Sequence, residues 1–234
     1  MFQMRLENFT FNFNTTRNIL INNFIYDSYF NPWQSIKMRT NRISTICESV
    51  PIETTGLGDI TNGDWYTKSC KPISESRTYR SIKAHFVDGI PWCETVYIEK
   101  AEEKIIENGE VRGCSTIDEF VSKRCGYIEL LYHSIQENGY QHPDSDIQRQ
   151  YELERKSIKQ NLHPLVLLDK YGNVLLRDGK TRFAICDILD EPLHVQILRV
   201  HESFFEDIEF EFENVTAENL IHNKKEIKND YGAV

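Results

Sequence analysis

"LLRDGKTRFAIC", Leu175 to Cys186, is the stretch on which the fold turns. An apolar run ends at Leu176, a second begins at Phe183, and between them stand Arg177, Asp178, Gly179, Lys180, Thr181 and Arg182. A solvent-facing turn accounts for that density of charge. So does a strand-to-helix corner that holds an anion. The first backbone N–H groups of a helix have no intrahelical partner, and the helix dipole places partial positive charge there. Gly179 permits a tight turn or a close approach to a ligand. Lys180 and Arg182 supply positive charge, Thr181 a hydroxyl, and Asp178 a cap or a carboxylate for a metal or a ribose hydroxyl. The Gly-Lys-Thr triplet is not a P-loop. That motif needs a glycine five residues before Gly179, where Val174 stands.

Working outward, "HPLVLLDKYGNVLLRDG" places two apolar runs around Asp169–Asn173 and predicts a hairpin leading into the corner. "TRFAICDILDE" predicts a short apolar helix. "PLHVQILRV" predicts a strand, with Leu193, Val195 and Ile197 on one face. Upstream, "SESRTYRSIKAHFVDG" predicts a helix with Tyr79, Ile82 and Phe86 on one side and a stop at Asp88-Gly89. "PWCETVYIEKAEEKIIENG" predicts one beginning at Pro91 and ending at Asn108-Gly109. "STIDEFVSKRCGYIELLYHSIQENG" predicts a long one capped by Ser115 or Thr116 and bent near Gly126. In residues 1–30 the alternation of Phe9, Phe11 and Phe13 predicts a strand with one buried face, and "NPWQSIKMRT" a second. Residues up to Tyr66 read as loops, residues 141–161 as a solvated polar helix, and the tail from about Thr216 to Asp230 as an amphipathic helix.

The 234 residues carry a net charge of −9, which disfavours a broad nucleic-acid surface while leaving room for a local basic pocket. No apolar run is long enough to span a membrane, and the N-terminal residues are too polar for a signal peptide. Six cysteines are scattered without a C-x-x-C pair, a usage that fits a reducing, cytoplasmic setting. His163, His194 and His201 lie near the predicted strands without metal-ligand spacing, so no metal site is expected from protein ligands alone. Arg199 and His201, at the end of the last strand, are candidates to border a pocket.

Three segments in order, "SIQENGYQ" (134–141), "PLVLLDKYGNVLLRDGKTRFAICDIL" (164–189) and "PLHVQILRV" (192–200), resemble the ParB/sulfiredoxin superfamily. In that family a strand hairpin, a D-G-x-x-R-like turn opening a helix and a following strand occur in this order; here the turn is Asp178 to Arg182. "GDWY", "YRSIKAHFVDGIPWCET" and "RGCSTIDEF" resemble longer, largely archaeal proteins carrying this domain. The resemblance implies an α/β (α+β) fold: a ParB/sulfiredoxin-like core with a small mixed sheet flanked by helices, plus an N-terminal segment and a helical insertion. The corresponding boundaries are 1–66 for the segment contributing strands, 67–114 for the insertion, 115–205 for the core, and 206–234 for a C-terminal helix and tail.

The resemblance also implies nucleotide phosphates at the turn. Gly179, Lys180, Thr181 and Arg182 become the binding residues, with ATP or CTP and Mg²⁺ as cofactors. Asp178 and Glu110 are the catalytic candidates, Glu110 and its neighbour Glu107 chosen by location alone. Members of the family include CTP-dependent DNA clamps, ATP-dependent sulfinic-acid reductases, free-serine kinases and proposed nucleases, so fold leaves function open. The reductases carry a cysteine beside the turn; Lys180 and Thr181 occupy those positions here, and Thr181 replaces the histidine many relatives have. The partition proteins continue into a DNA-binding domain, whereas some 30 residues follow the core in this sequence. The expectation is an NTP-dependent phosphotransferase or NTPase with a small hydroxyl substrate. The alternatives are a DNA-associated protein or nuclease, and a non-catalytic interaction module.

Overall fold

The computed structural model describes residues 2–26, 30–141, 162–211 and 216–222. The expected polar helix at 141–161 lies almost wholly outside them, as does the tail beyond residue 222. One mixed sheet contains β1 (Ile36–Met38), β2 (Ile43–Cys47), β3 (Asp59–Thr61), β4 (Cys70–Pro72), β5 (Leu165–Leu168), β6 (Val174–Leu176) and β7 (Leu193–His201). The order is β1-β7-β5-β6-β2-β4, and β3 lies along β7 beyond the end of β1. β7 therefore meets an antiparallel strand over its first half and a parallel one over its last residues. On its other edge runs parallel β5.

The sheet divides two cores, and side-chain alternation decides which residue enters which. In β5, Val166 and Leu168 join a large core, whereas Leu165 and Leu167 join a smaller one on the opposite face. The large core holds Phe183 to Cys186 together with Ile82, Ile98, Ala101 and Ile128; the smaller holds Phe11, Ile52 and Leu57. In β7 the pairing register with β5 slips after Ile197. An extra residue in one strand reverses the phase of alternation beyond it. Leu198 falls in the small core and Val200 returns to the large one. Arg199 instead pairs with Asp59 at 2.6 Å and sits 5.7 Å from the Trp65 ring.

The predicted hairpin is present, and Asp169 sets it. Its buried Oδ1 accepts from the backbone N–H groups of Tyr171 and Asn173, both at 2.8 Å, while Oδ2 accepts from Asn173 Nδ2. Gly172 has φ +77°, and a Cβ there would lie 2.6 Å from the Phe204 ring, so the turn admits no side chain at that position.

The helices are α1 (Phe2–Tyr26), α2 (Ile52–Thr55), α3 (Arg77–Phe86), α4 (Val96–Asn108), α5 (Ile117–Phe120), α6 (Gly126–Asn138), α7 (Lys180–Ile188), α8 (Glu202–Glu211) and α9 (Ala217–His222). Ser76 caps α3, and of the two caps expected for the next helical segment, Ser115 and Thr116, it is Thr116 that caps α5. The expected bend near Gly126 is a π-helical turn, Val121–Cys125, joining α5 to α6. Pro91 opens a short 3-10 turn rather than α4, which begins five residues later at Val96. The 67–114 segment is not wholly helical, because β4 pairs with β2. That pairing places Cys47 opposite Cys70, and a disulfide joins them. Their spacing of 23 residues gives no sign of it; the strand register does.

The clearest departure from expectation is the N-terminal segment. Phe9, Phe11 and Phe13 lie on α1 rather than a strand, and only Phe11 is buried. The face that docks is polar. Asn14 Nδ2 donates to Thr54 O, Asn18 Nδ2 to Thr55 O and Leu57 O, and Asn22 Nδ2 to Gly58 O, at 2.8–3.1 Å. These residues recur every four positions, the period of a helix face. Within the segment 1–66, then, strands reach the sheet only from residue 36 onward. No described helix is long and apolar enough to cross a membrane.

Replacing Asn18 with Ala strands two buried carbonyls, each costing about 1–3 kcal/mol. The expected outcome is a loss of roughly 2–4 kcal/mol in denaturant unfolding with an unchanged m-value.

Candidate anion-binding site

The corner forms where the sequence places it. β6 ends at Leu176, and Arg177 N and Asp178 N both donate to Leu165 O, at 2.8 and 3.2 Å. Leu165 N donates back to Asp178 O at 3.2 Å. Gly179 then turns with φ +89°, and its O accepts from Phe183 N as α7 begins. A Cβ on Gly179 would come within 2.7 Å of Pro164 Cβ, so this glycine lets the corner pack against the start of β5.

Beyond the corner the charged residues part company. Arg177 Nε donates to Val50 O. Lys180 Nζ pairs with Glu48, which directly follows β2, and the hydrogen bond holds the Glu48 carboxyl below its ordinary value against the opposing effect of burial. Arg182 Nη1 donates to Leu162 O at 2.6 Å and sits beside Tyr140. Burial pushes that phenol up to about 12, with Arg182 working against it. Tyr140 in turn stacks on His194 at 5.8 Å and reaches His163 Nδ1 at 3.3 Å.

Lys180 faces a cleft of about 580 Å³ beyond the carboxyl ends of the parallel pair β2 and β6. Ligands of open α/β sheets lie outside the carboxyl ends of their strands. Six cations line this cleft: Lys71, Arg77, Lys100, Lys104, Arg112 and Lys180. Glu48 and Glu75 are the carboxylates, and Tyr97, Ala101, Val111 and Phe120 form an apolar wall. The amino end of α3 also opens here through Ser76, Arg77 and Thr78. Ser76 takes Tyr79 N on its hydroxyl and Arg80 N on its carbonyl. The first N–H groups of α3 thus add their dipole to the cation cluster.

Arg112 has the most unusual placement of the six. Val111 and Cys114 exchange backbone hydrogen bonds at 2.9 and 3.0 Å, with Arg112 at φ +52° and Gly113 at φ +75° between them. Such two-residue turns need positive φ at both central positions, and Asn or Gly is the usual choice for the first. Arginine there carries backbone strain, a feature that concentrates at functional sites. Arg124 beside it pushes the Arg112 guanidinium below its ordinary value; burial adds to this and the Asp178 carboxylate opposes it. Arg112 still reaches solvent through the cleft. Arg124 leaves the π-helical turn to donate from Nε to Tyr97 Oη at 3.1 Å. Neither arginine forms an ion pair among the described residues. Arg112, which lines the cleft, would favour an anion there.

Of the residues expected at the site, Lys180 alone lines the cleft. Asp178 lies near enough to Arg112 to influence it, Gly179 serves packing, and Arg182 points to the Leu162–Tyr140 side. Thr181 is partly buried and outside the cleft lining. Glu107 and Glu110 are exposed and do not line it either. Arg199 and His201 face Asp59, Trp65 and Tyr66 instead of the cleft. Cys125 is buried, and burial pushes its thiol up to about 12. The sequence does carry a signal for the residues it left unmarked: Lys100 and Lys104 are one helical turn apart, and Arg112-Gly113 is a tight-turn pair.

Comparison of the chain with protein-family models, with curated proteins and with solved structures gave no match.

Gly179→Ala tests the corner. Strain at positive φ costs about 1–3 kcal/mol before any contact with Pro164 is counted. The expected outcome is a melting temperature lower by roughly 4–10 °C.

Proposed function

We propose that the cleft binds a nucleoside triphosphate and that the protein is a phosphotransferase of the ParB/sulfiredoxin type, acting on a small hydroxyl compound. The observation that carries this reading is the charge of the cleft. Six cations face two carboxylates there, in a chain whose net charge is −9. A volume of about 580 Å³ lies within the usual small-molecule range of roughly 300–1,000 Å³. Lys180, Arg112 and the amino end of α3 would neutralise the phosphates, and the half-buried Tyr97 ring would lie against a base. The family likeness supports the same reading. The hairpin, glycine corner, helix and final strand follow in the order of that superfamily, around a mixed sheet.

Phosphoryl transfer makes few covalent demands on a protein and depends on positioning and charge stabilisation. Cations already fixed around the terminal phosphate need no reorganisation as charge develops on the transferring group. Glu48 and Glu75 are hard oxygen donors at the cleft and would hold Mg²⁺ beside the phosphates. Bound there, the ion would supply further charge neutralisation. Among the described residues no group of three or more His, Cys, Asp or Glu could hold a metal alone. A magnesium ion sharing its coordination with phosphate oxygens and water does not need one.

On this reading Lys180 from the turn and Arg112 from the insertion contact phosphate, and Arg182 has a structural task. Calorimetric titration of ATP, ADP, CTP and GTP with Mg²⁺ tests it. Wild-type protein is expected to bind at least one triphosphate, and Lys180→Ala and Arg112→Ala to weaken it about 10- to 100-fold, the range of a lost charged hydrogen bond. Arg182→Ala is expected to lower stability and leave affinity nearly unchanged. No binding to any nucleotide, with salt-dependent binding to DNA, would favour the nucleic-acid alternative. Silence in both assays would favour the interaction module.

A further inference from the structure

α1 is amphipathic in the inverse sense. Its docked face is the asparagine ladder, whereas Leu6, Phe9, Phe13, Leu20 and Phe24 stand outward at 54%, 68%, 59%, 64% and 90% exposure. The helix cannot turn that apolar face inward without breaking its bonds to residues 54–58. Leu57 N donates to Thr15 Oγ1 at 2.9 Å, and Gly56 packs so closely that a Cβ there would lie 2.5 Å from Thr15 N. The outward face is therefore fixed by the fold.

We propose that this face is a two-fold interface between two copies of the chain, with the two α1 helices packed antiparallel. The area fits. The five exposed side chains, three of them phenylalanines that each bury about 150–250 Å², approach the roughly 800 Å² that each partner contributes to a standard stable interface. The spacing fits as well. Leu6, Phe9, Phe13 and Leu20 fall at intervals of three, four and seven, the seam of an antiparallel helix pair. About a centre near residue 15, Leu6 meets Phe24 of the second copy, Phe9 meets Leu20, and Phe13 covers Thr16. Phe9 and Phe13 already stack at 6.3 Å, presenting one continuous ring surface. A single patch that complements itself about a two-fold axis is what an isologous contact requires.

Charge favours a second copy over a lipid surface. A helix that lies on membranes carries a Lys/Arg-rich polar face. α1 holds three charged residues in its 25, Arg5, Glu7 and Arg17, and its polar face is asparagine committed to the protein. The net charge of −9 also opposes anionic lipid.

Sedimentation equilibrium of the full chain tests the proposal. The wild type is expected at twice the chain mass. Phe9→Asp with Phe13→Asp is expected to raise the dimer dissociation constant at least about 100-fold, as for central anchor residues. Circular dichroism should show the fold retained, because both positions are exposed. A second variant removes dependence on that one. Phe9→Cys with Leu20→Cys should cross-link into dimers under mild oxidation, and a Glu103→Cys control should not. Vesicles of phosphatidylcholine and phosphatidylserine should leave the protein unbound in flotation. A wild type that stays monomeric at about 100 µM would overturn the proposal. So would a dimer indifferent to the aspartates, cross-linking no better than the control, or flotation with the vesicles.

Discussion

The contact between Gly179 and Pro164 fixes where α7 begins, and much else depends on it. Pro164 O accepts from Gln196 N of β7, and the next residue, Leu165, exchanges backbone hydrogen bonds with the corner. Two residues thus tie β5, β7 and the end of β6 together. Because a helix turns about 100° per residue, fixing its first turn also fixes the direction of every side chain on it. Lys180 goes to Glu48 and the cleft, and Arg182, two residues on, goes to Leu162 and Tyr140 on the other side. Phe183 enters the large core, which holds the helix in that rotation.

The second theme is the separation of charge. An acidic chain concentrates six cations around one cleft: Lys180 comes from the corner, and the other five from four further places, β4, the start of α3, α4, and the turn at Arg112. None of these segments is basic enough alone to suggest an anion site. The Arg124 charge and burial both work against the Arg112 guanidinium, so holding it at the cleft carries a cost. The strained backbone of Arg112 adds to that cost. Local features that burden stability are expected where a protein meets its ligand.

The C-terminal half was legible because each of its elements is local. Asp169 to Asn173 contains its own turn chemistry, Gly179 its own corner, and Leu193 to Ile197 its own alternation. The site was legible only at Lys180. The cations that complete it come from residues 71 to 112 and are gathered by tertiary packing, which periodicity does not report. α1 misled for a related reason. Alternating phenylalanines suggest a strand when the apolar face is assumed to be the buried one, and here asparagines bonded to residues 54–58 take that place. The Cys47–Cys70 bond likewise depends on strand register rather than on spacing. The phase change at Leu198, which sends Arg199 away from the large core, could not be read without the β5 partner.

The most direct test of the account is where a nucleotide lands. An amide NMR titration of isotopically labelled protein with Mg²⁺ and ATP or CTP reports that position without altering any residue. The account predicts shifts centred on Arg77, Thr78, Arg112 and Lys180. Shifts centred instead on Tyr140, His163 and His194 around Arg182, or none at all with either nucleotide, would contradict it.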